Sequence, residues 1–294
     1  MNQSYRVFVE VVERQHFSRA AEALFMTQPA VSQYIKALES EIGTQLIDRS
    51  HKKVRLTTAG RIVYEHAKEM IGHHETMHHL IHELFHEPTG TLAIGASYTF
   101  GEYVLPRIMA PLRERFPHIQ PTITISNTKE IAEKVEKMEL DIGIVEGDIN
   151  RELLQVEHFA EDYMRIVASS NHSYTEKLPV TVSDLENEIW ITRELGSGTR
   201  EATERMFTTI GIDPAHRMEF GSTQVIKESV EAGLGVSLVS LWALRKELSM
   251  NTLFIVDVPE GYVKRSFSTL LRKKPMQTKN TLVFKELLHE MVKE

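Results

Sequence analysis

The sequence predicts an α/β protein preceded by a small all-α segment and a long helix. Three observations carry that prediction. The first sixty residues hold successive amphipathic helices, a heptad-spaced stretch follows as far as Pro88, and short β-like runs then alternate with helix-like ones to the end of the chain. With 294 residues, of which 41% are hydrophobic, the chain has enough apolar material for two or three domains. No apolar run approaches the roughly 20 residues that span a bilayer. The opening residues also lack the basic, apolar and small-residue regions of an export signal, so a cytoplasmic protein with no membrane partner is expected. The absence of cysteine excludes disulfides, thiolate metal sites and cysteine nucleophiles.

Charge divides by region. The net charge is −7, yet residues 1–61 carry nine Lys/Arg against six acids. A basic end on an acidic body points to a polyanion for the first sixty residues and to another task for the rest.

In the N-terminal segment, Tyr5, Phe8, Val9 and Val12 form the stripe of a first amphipathic helix. Ser18 is expected to cap a short second helix, whose Ala20 and Ala21 let a neighbour approach closely. Thr27 caps a third, with Pro29 in the first turn where a missing N–H is harmless, and Gly43 stops it. Val31, Ile35 and Leu38 fall at i, i+4 and i+7 and should be buried. Gln28, Ser32, Gln33 and Lys36 lie off that stripe, near the helix start. Amides and hydroxyls there suit base edges in a major groove, although a solvated polar face has the same composition. Segments 46–50 and 54–56 read as a hairpin with the basic tip HKK, 51–53, which makes the whole a winged helix-turn-helix whose wing contacts phosphate.

The run FSRAAEALFMTQPAVSQYIKALESEIGTQLIDRS, 17–50, followed by VRLTTAG, 54–60, resembles the DNA-binding signature of the LysR-type transcriptional regulators. One departure is Ile47, where that family usually has phenylalanine. The resemblance implies promoter DNA as partner, with contacts at Ser18, Gln28, Pro29, Ser32, Gln33 and Lys36, and Arg49, Lys52 and Lys53 near the backbone. It also implies a homodimer or homotetramer, and it admits RNA polymerase as a further partner.

Thr57 or Thr58 is expected to open a helix running to Glu87. Along it Val63, Ala67, Met70, His74, Met77, Ile81 and Leu84 are spaced alternately by four and three, a heptad seam that indicates helix pairing. The resemblance makes this 61–87 helix the linker that pairs two subunits. The stretch HHETMHHLIHELFH, 73–86, contains H-E-x-x-H twice, at His74/Glu75/His78 and His82/Glu83/His86. Zinc peptidases use that pattern, but they also need a third ligand and a substrate cleft. Neither is supplied nearby, and Glu102 lies beyond the Pro88 break. The chain is therefore read as no enzyme, with no metal site assigned. A seam histidine would disfavour pairing once protonated, so pairing should weaken near pH 6.

Beyond Pro88, strands are expected at 91–96, 120–126, 141–145, 164–168, 189–192, 235–239, 253–256 and 266–271, with helices at 103–116, 131–138, 199–210 and 225–232. The alternation argues for parallel sheets covered by helices. The resemblance makes residues 88–294 an effector domain of two subdomains, like a periplasmic binding protein. One subdomain is 88–162 with 268–294, the other is 163–267, and the ligand cleft lies between them. In ITRELGSGTR, 191–200, a Gly/Ser turn opens a helix, so the N–H groups and hydroxyls of Ser197, Gly198 and Thr199 converge, with Arg200 adding charge. Ser97 and Thr99, then Ser222 and Thr223, form similar turns. Three such turns favour a small oxyanion or carboxylate. The resemblance gives Ser97, Thr99, Gly147, Ser197, Thr199 and Thr223 comparable ligand-contacting positions. GSGTR further resembles the branch controlling sulfur assimilation or carbon fixation, which makes sulfate, sulfite or a related anion the expected co-inducer. No bound cofactor is expected. A solute-binding protein is opposed by the missing export signal and by the first sixty residues.

Overall fold

The computed structural model describes residues 3–48, 54–85, 87–147, 149–177, 179–258, 261–273 and 276–291, without the side chains of 76, 79, 80 and 82–85. The chain divides into two compact units, Met1–Phe85 and His86–Glu294.

The first unit contains α1 (Gln3–Arg14), α2 (Phe17–Ala23), α3 (Gln28–Ile42), strands β1 (Ile47–Asp48) and β2 (Arg55–Leu56), and α4 (Thr58–Phe85). Val7, Phe8 and Val11 of α1, Ala20 and Ala21 of α2, and Val31, Ile35 and Leu38 of α3 form one core. Thr27 accepts the Ala30 N–H at 3.4 Å and Gly43 adopts φ +81°, so both ends of α3 lie where the sequence puts them. Ser18 is not the cap of α2. His16 holds that position and accepts the Ser18 N–H at 3.2 Å, because Phe17 already turns inward as the first helical residue.

The short wing is anchored from both sides. The Glu39 carboxylate accepts the N–H groups of Leu46 and Ile47, and Thr57 donates its hydroxyl to the Gln45 carbonyl and its N–H to that of Leu46. The Thr57 hydroxyl also accepts the Gly60 N–H at 2.9 Å and thereby caps α4. At Gly60 a Cβ would stand 2.0 Å from the Leu46 carbonyl oxygen, so only glycine allows α4 to pass so close to the wing. Gly60→Ala is expected to destabilise this unit by roughly 1–3 kcal/mol through overpacking, measured by denaturant melting. An unchanged midpoint would contradict the close approach.

The second unit comprises β3 (Gly90–Ser97), α5 (Tyr98–Tyr103), α6 (Leu105–Arg115), β4 (Ile119–Ser126), α7 (Thr128–Glu136), β5 (Ile142–Glu146), β6 (Leu154–Ser169), α8 (Val182–Glu186), β7 (Ile189–Arg193), α9 (Gly198–Ile210), β8 (His216–Phe220), α10 (Thr223–Glu231), β9 (Ser237–Ser240), α11 (Leu241–Ser249), β10 (Leu253–Ile255), β11 (Tyr262–Arg272) and α12 (Lys279–Met291). The main sheet runs β10-β6-β11-β5-β3-β4, with β9 also on β6, while β7 pairs β8. Parallel pairing holds for β3 with β4 and β5, and for β7 with β8, the strands joined by helical crossovers. The expectation of parallel sheets is corrected in part by β6 and β11. They are long, run antiparallel to each other, and carry the chain from one lobe to the other and back.

Their crossing point is the pairing of Asp162 with Arg265, followed by a register shift between Phe267 and Ser268. Leu92, Ile94, Phe100, Ile108 and Phe284 form the core of the first lobe. Trp190, Met206, Phe207 and Leu238 belong to that of the second. The cleft between the lobes is consequently floored by the middle of two strands rather than by loops.

Candidate DNA-reading helix and ligand cleft

On α3 the face opposite Val31, Ile35 and Leu38 stays open within its unit. Gln28, Pro29, Gln33 and Lys36 are exposed, and Ser32 is half-buried. The Gln28 amide donates to the Ser32 hydroxyl at 3.0 Å, orienting a polar pair one turn apart at the helix start. An amide held this way presents a donor and an acceptor together, as bidentate recognition of adenine requires. Ser18 is also exposed. Arg49, Lys52 and Lys53 lie outside the described residues.

The expected seam on α4 divides in two. Val63 packs against the unit's own core and Ala67 is buried, because the first turns of α4 lie on α1, where Tyr64 donates to Glu13. From there on Met70, Met77 and Ile81 are 43%, 46% and 52% exposed, an apolar stripe left open by the described residues of its own unit, and His74 between them is half-buried. Leu84, His82, Glu83 and His86 are seam or motif positions outside the described side chains.

In the second unit the hydroxyl-bearing turns come from both lobes. Ser97 ends β3 and Thr99 lies in α5; Ser197 caps α9 by accepting the Thr199 N–H at 3.2 Å; Thr223 opens α10. All five side chains are buried. The group that joins the lobes is Arg265. Its Nε donates to Asp162 Oδ2 at 2.7 Å, Nη1 to the Thr199 hydroxyl at 3.0 Å and Nη2 to the Thr99 hydroxyl at 3.1 Å. One guanidinium thus holds a threonine from each side of the cleft.

Negative charge surrounds it. Asp162 Oδ1 accepts from Ser240 at 2.6 Å, and Glu146, which takes the Phe100 N–H at 3.2 Å, stands 4.0 Å from Arg265 Nη2. Asp162 is wholly inaccessible and Arg265 only 4% exposed. Burial raises the Asp162 carboxyl above its ordinary value against the opposing pull of Arg265 and Ser240, and the charge of Glu146 adds to the rise. A second buried arginine, Arg193, donates to Glu194 at 2.7 and 2.8 Å and to the Thr223 hydroxyl at 3.4 Å, and lies over the Tyr98 ring.

Arg200 faces elsewhere. Its guanidinium binds Glu204, one turn along α9, at 2.6 Å, the Thr192 hydroxyl at 2.9 Å and the Arg193 carbonyl at 3.0 Å. The Gly/Ser run before it is the clasp between lobes. Gly196, at φ +91°, accepts the Lys129 N–H at 3.1 Å, and Asn127 donates to Glu194. At Gly198 a Cβ would meet the Glu146 carbonyl oxygen at 2.2 Å. Gly147, at φ +92°, lies against the same point, near Gly198 Cα.

Thr99 and Thr199 meet at Arg265, Ser197 caps the helix of Thr199, Gly147 lies against Gly198, Thr223 is reached by Arg193, and Ser97 donates its hydroxyl to the Ile144 carbonyl; the charges among them, Arg265, Asp162, Glu146 and Arg193, were not expected as a site from the sequence. One signal was available. Asp162 and Arg265 sit where the chain was expected to cross between lobes, and charges inside strands need partners.

Two family models cover nearly the whole chain: the bacterial regulatory helix-turn-helix protein, lysR family, at residues 3–61, and the LysR substrate binding domain at 85–293. The HTH-type transcriptional regulator CysL of Bacillus subtilis is 38% identical over 283 residues, covering 96% of this chain and 95% of that protein. The Synechocystis PCC6803 CcmR regulatory domain, solved in complex with 2-PG, matches 70% of this chain and 99% of its own at 26% identity and a TM-score of 0.65. Full-length CbnR complexed with its target DNA shares the fold over 99% of each chain, at 19% identity and a TM-score of 0.70. Among the described residues no helix is long and apolar enough to cross a membrane. Helix-turn-helix, long helix and two-lobed ligand domain occur here in the order of that family, and the chain belongs to the LysR family of DNA-binding transcriptional regulators, not to an enzyme family.

Proposed function

We propose that this regulator senses a small oxyanion in the cleft floored by Asp162 and Arg265, and that two copies paired along α4 present their α3 helices to successive major grooves. The observation that carries the ligand reading is the Arg265 guanidinium held between the hydroxyls of Thr99 and Thr199. A planar fork of N–H donors matches the oxygens of an oxyanion. On entry, the anion replaces the two threonine oxygens at Nη1 and Nη2. The freed hydroxyls then turn from acceptors to donors and bind the same ligand, so the anion links both lobes and favours closure.

The resemblance of GSGTR to the sulfur-assimilation branch makes a sulfur oxyanion the first ligand to test, and the CcmR regulatory domain, solved in complex with 2-PG, makes 2-PG the second. Calorimetry on the full chain with sulfate, sulfite, thiosulfate and 2-PG is expected to give saturable binding for one of them. The Ser197→Ala/Thr199→Ala double variant is expected to abolish that binding. Full affinity in the variant would place the ligand elsewhere.

For DNA, the polar start of α3 reads bases while the wing segment contacts phosphate. Gln28→Ala is expected to cost about 1–3 kcal/mol on the preferred operator and to relax its base preference. Lys52→Ala is expected to weaken binding evenly across sequences and to lower the salt slope by about one. Fluorescence anisotropy at several salt concentrations separates the two, and the reverse pattern would exchange the roles of helix and wing.

A further inference from the structure

The regulator reading leaves the histidines of α4 unused. His74 and His78 stand one helical turn apart, and their rings approach to 4.6 Å between centroids at an angle of 58°. His78 is exposed and His74 half-buried. Neither ring has a hydrogen-bond or ion-pair partner among the described residues. Imidazoles at i and i+4 share one helix face, and neutral imidazole is a ligand suited to zinc, nickel and copper. His74 also lies in the stripe of Met70, Met77 and Ile81 that the described residues of its unit leave open, and Glu69 and Glu75 add negative charge to the same stretch of helix.

Among the described residues no three His, Asp or Glu side chains gather to hold an ion, so these offer a pair of nitrogens and not a full set. Zinc takes four ligands at about 2.0–2.1 Å from each nitrogen. The remaining ligands have a natural source, because a second copy laid along the open stripe brings a second His74 and His78 to the same seam.

We propose that His74 and His78 chelate a divalent transition ion of the zinc or nickel class, and that the same two histidines of a second copy complete its coordination, so that ion binding strengthens pairing of the two α4 helices. This rests on the reading that copies pair along α4. Linkage then requires that ion and pairing favour each other equally. The ion is a fastener and does no chemistry: no peptidase role attaches to the H-E-x-x-H spacing.

The test uses the full chain stripped with a chelator, then titrated with zinc or nickel chloride by calorimetry and followed by sedimentation velocity. One ion per two chains is expected, with the dimer persisting to lower protein concentration when the ion is present. Loss of an outer-shell partner alone weakens metal sites about 10–100-fold, so His74→Ala/His78→Ala should lose at least about that much affinity. His66→Ala, two turns earlier on the same helix, should lose none. Circular dichroism shows whether the double variant keeps its helix. Unchanged ion affinity in a folded, dimeric double variant would overturn the metal site alone. One ion per chain, without effect on sedimentation, would also overturn it. A wild-type chain that stays monomeric with and without the ion would instead overturn pairing along α4.

Discussion

Replacing Arg265 by methionine is expected to abolish anion binding while leaving the DNA-binding unit folded. Truncating one partner of a buried, hydrogen-bonded charge pair costs about 2–5 kcal/mol, which corresponds to a roughly 30-fold to several-thousand-fold loss of ligand affinity. The same change leaves Asp162 buried beside Glu146 with no cation, so the effector unit itself should lose roughly 3–5 kcal/mol of stability at neutral pH. Its pH dependence has a definite sign. The Asp162 carboxyl is already raised in the folded protein, so its contribution to stability is fully present below its unfolded pKa and is lost as pH rises through the folded one. Without Arg265 the folded value rises further. The stability deficit of the variant should therefore shrink as pH falls through the titration of Asp162, and Asp162→Asn added to Arg265→Met should remove that trend. Chemical melts across the mildly acidic range check it, and a deficit that grows toward acid would reverse the assignment.

A side chain at Gly198 is expected to wedge the lobes apart. Its Cβ would stand 2.2 Å from the Glu146 carbonyl oxygen, and that obstacle is backbone rather than a movable side chain. The strain falls on the arrangement of the lobes seen here, and opening the cleft would relieve it. Overpacking of roughly 1–3 kcal/mol then acts as a penalty on the binding-competent form and lowers apparent anion affinity by about 5–150-fold. Gly198→Val should still bind DNA but should no longer change its binding when the anion is added, whereas Gly211→Ala, with nothing near its Cβ, should keep the response although it sits at φ +76° and loses some stability. Anisotropy on operator DNA with and without the anion distinguishes the two. A normal response in Gly198→Val would mean that closure at this contact is not part of signalling.

The DNA-binding unit is the most legible part of the sequence because its signals are local. Thr27, Pro29 and Gly43 mark the ends of α3, and Val31, Ile35 and Leu38 mark its buried face, all within one helix. The ligand cleft was legible through its turns, since Ser197 before Gly198 is a cap that any helix would use. Its charges were not. Arg265 and Asp162 are 103 positions apart and become partners only through the pairing of β6 with β11, which no periodicity reveals. β8 escaped notice for a local reason: His216–Phe220 is a largely exposed strand without alternation. In α4 the heptad spacing correctly marks a long helix, yet it does not say that Val63 and Ala67 are covered by the chain's own unit while Met70, Met77 and Ile81 are left open.

One buried guanidinium, held between threonines of two lobes, is the proposed anchor for the anion. Anomalous diffraction from crystals of the full chain grown with selenate locates the ligand without reference to activity. A selenium peak is expected within hydrogen-bonding reach of Arg265, Thr99 and Thr199, lost in Arg265→Met. A peak at another place, or one that survives in Arg265→Met, would contradict it.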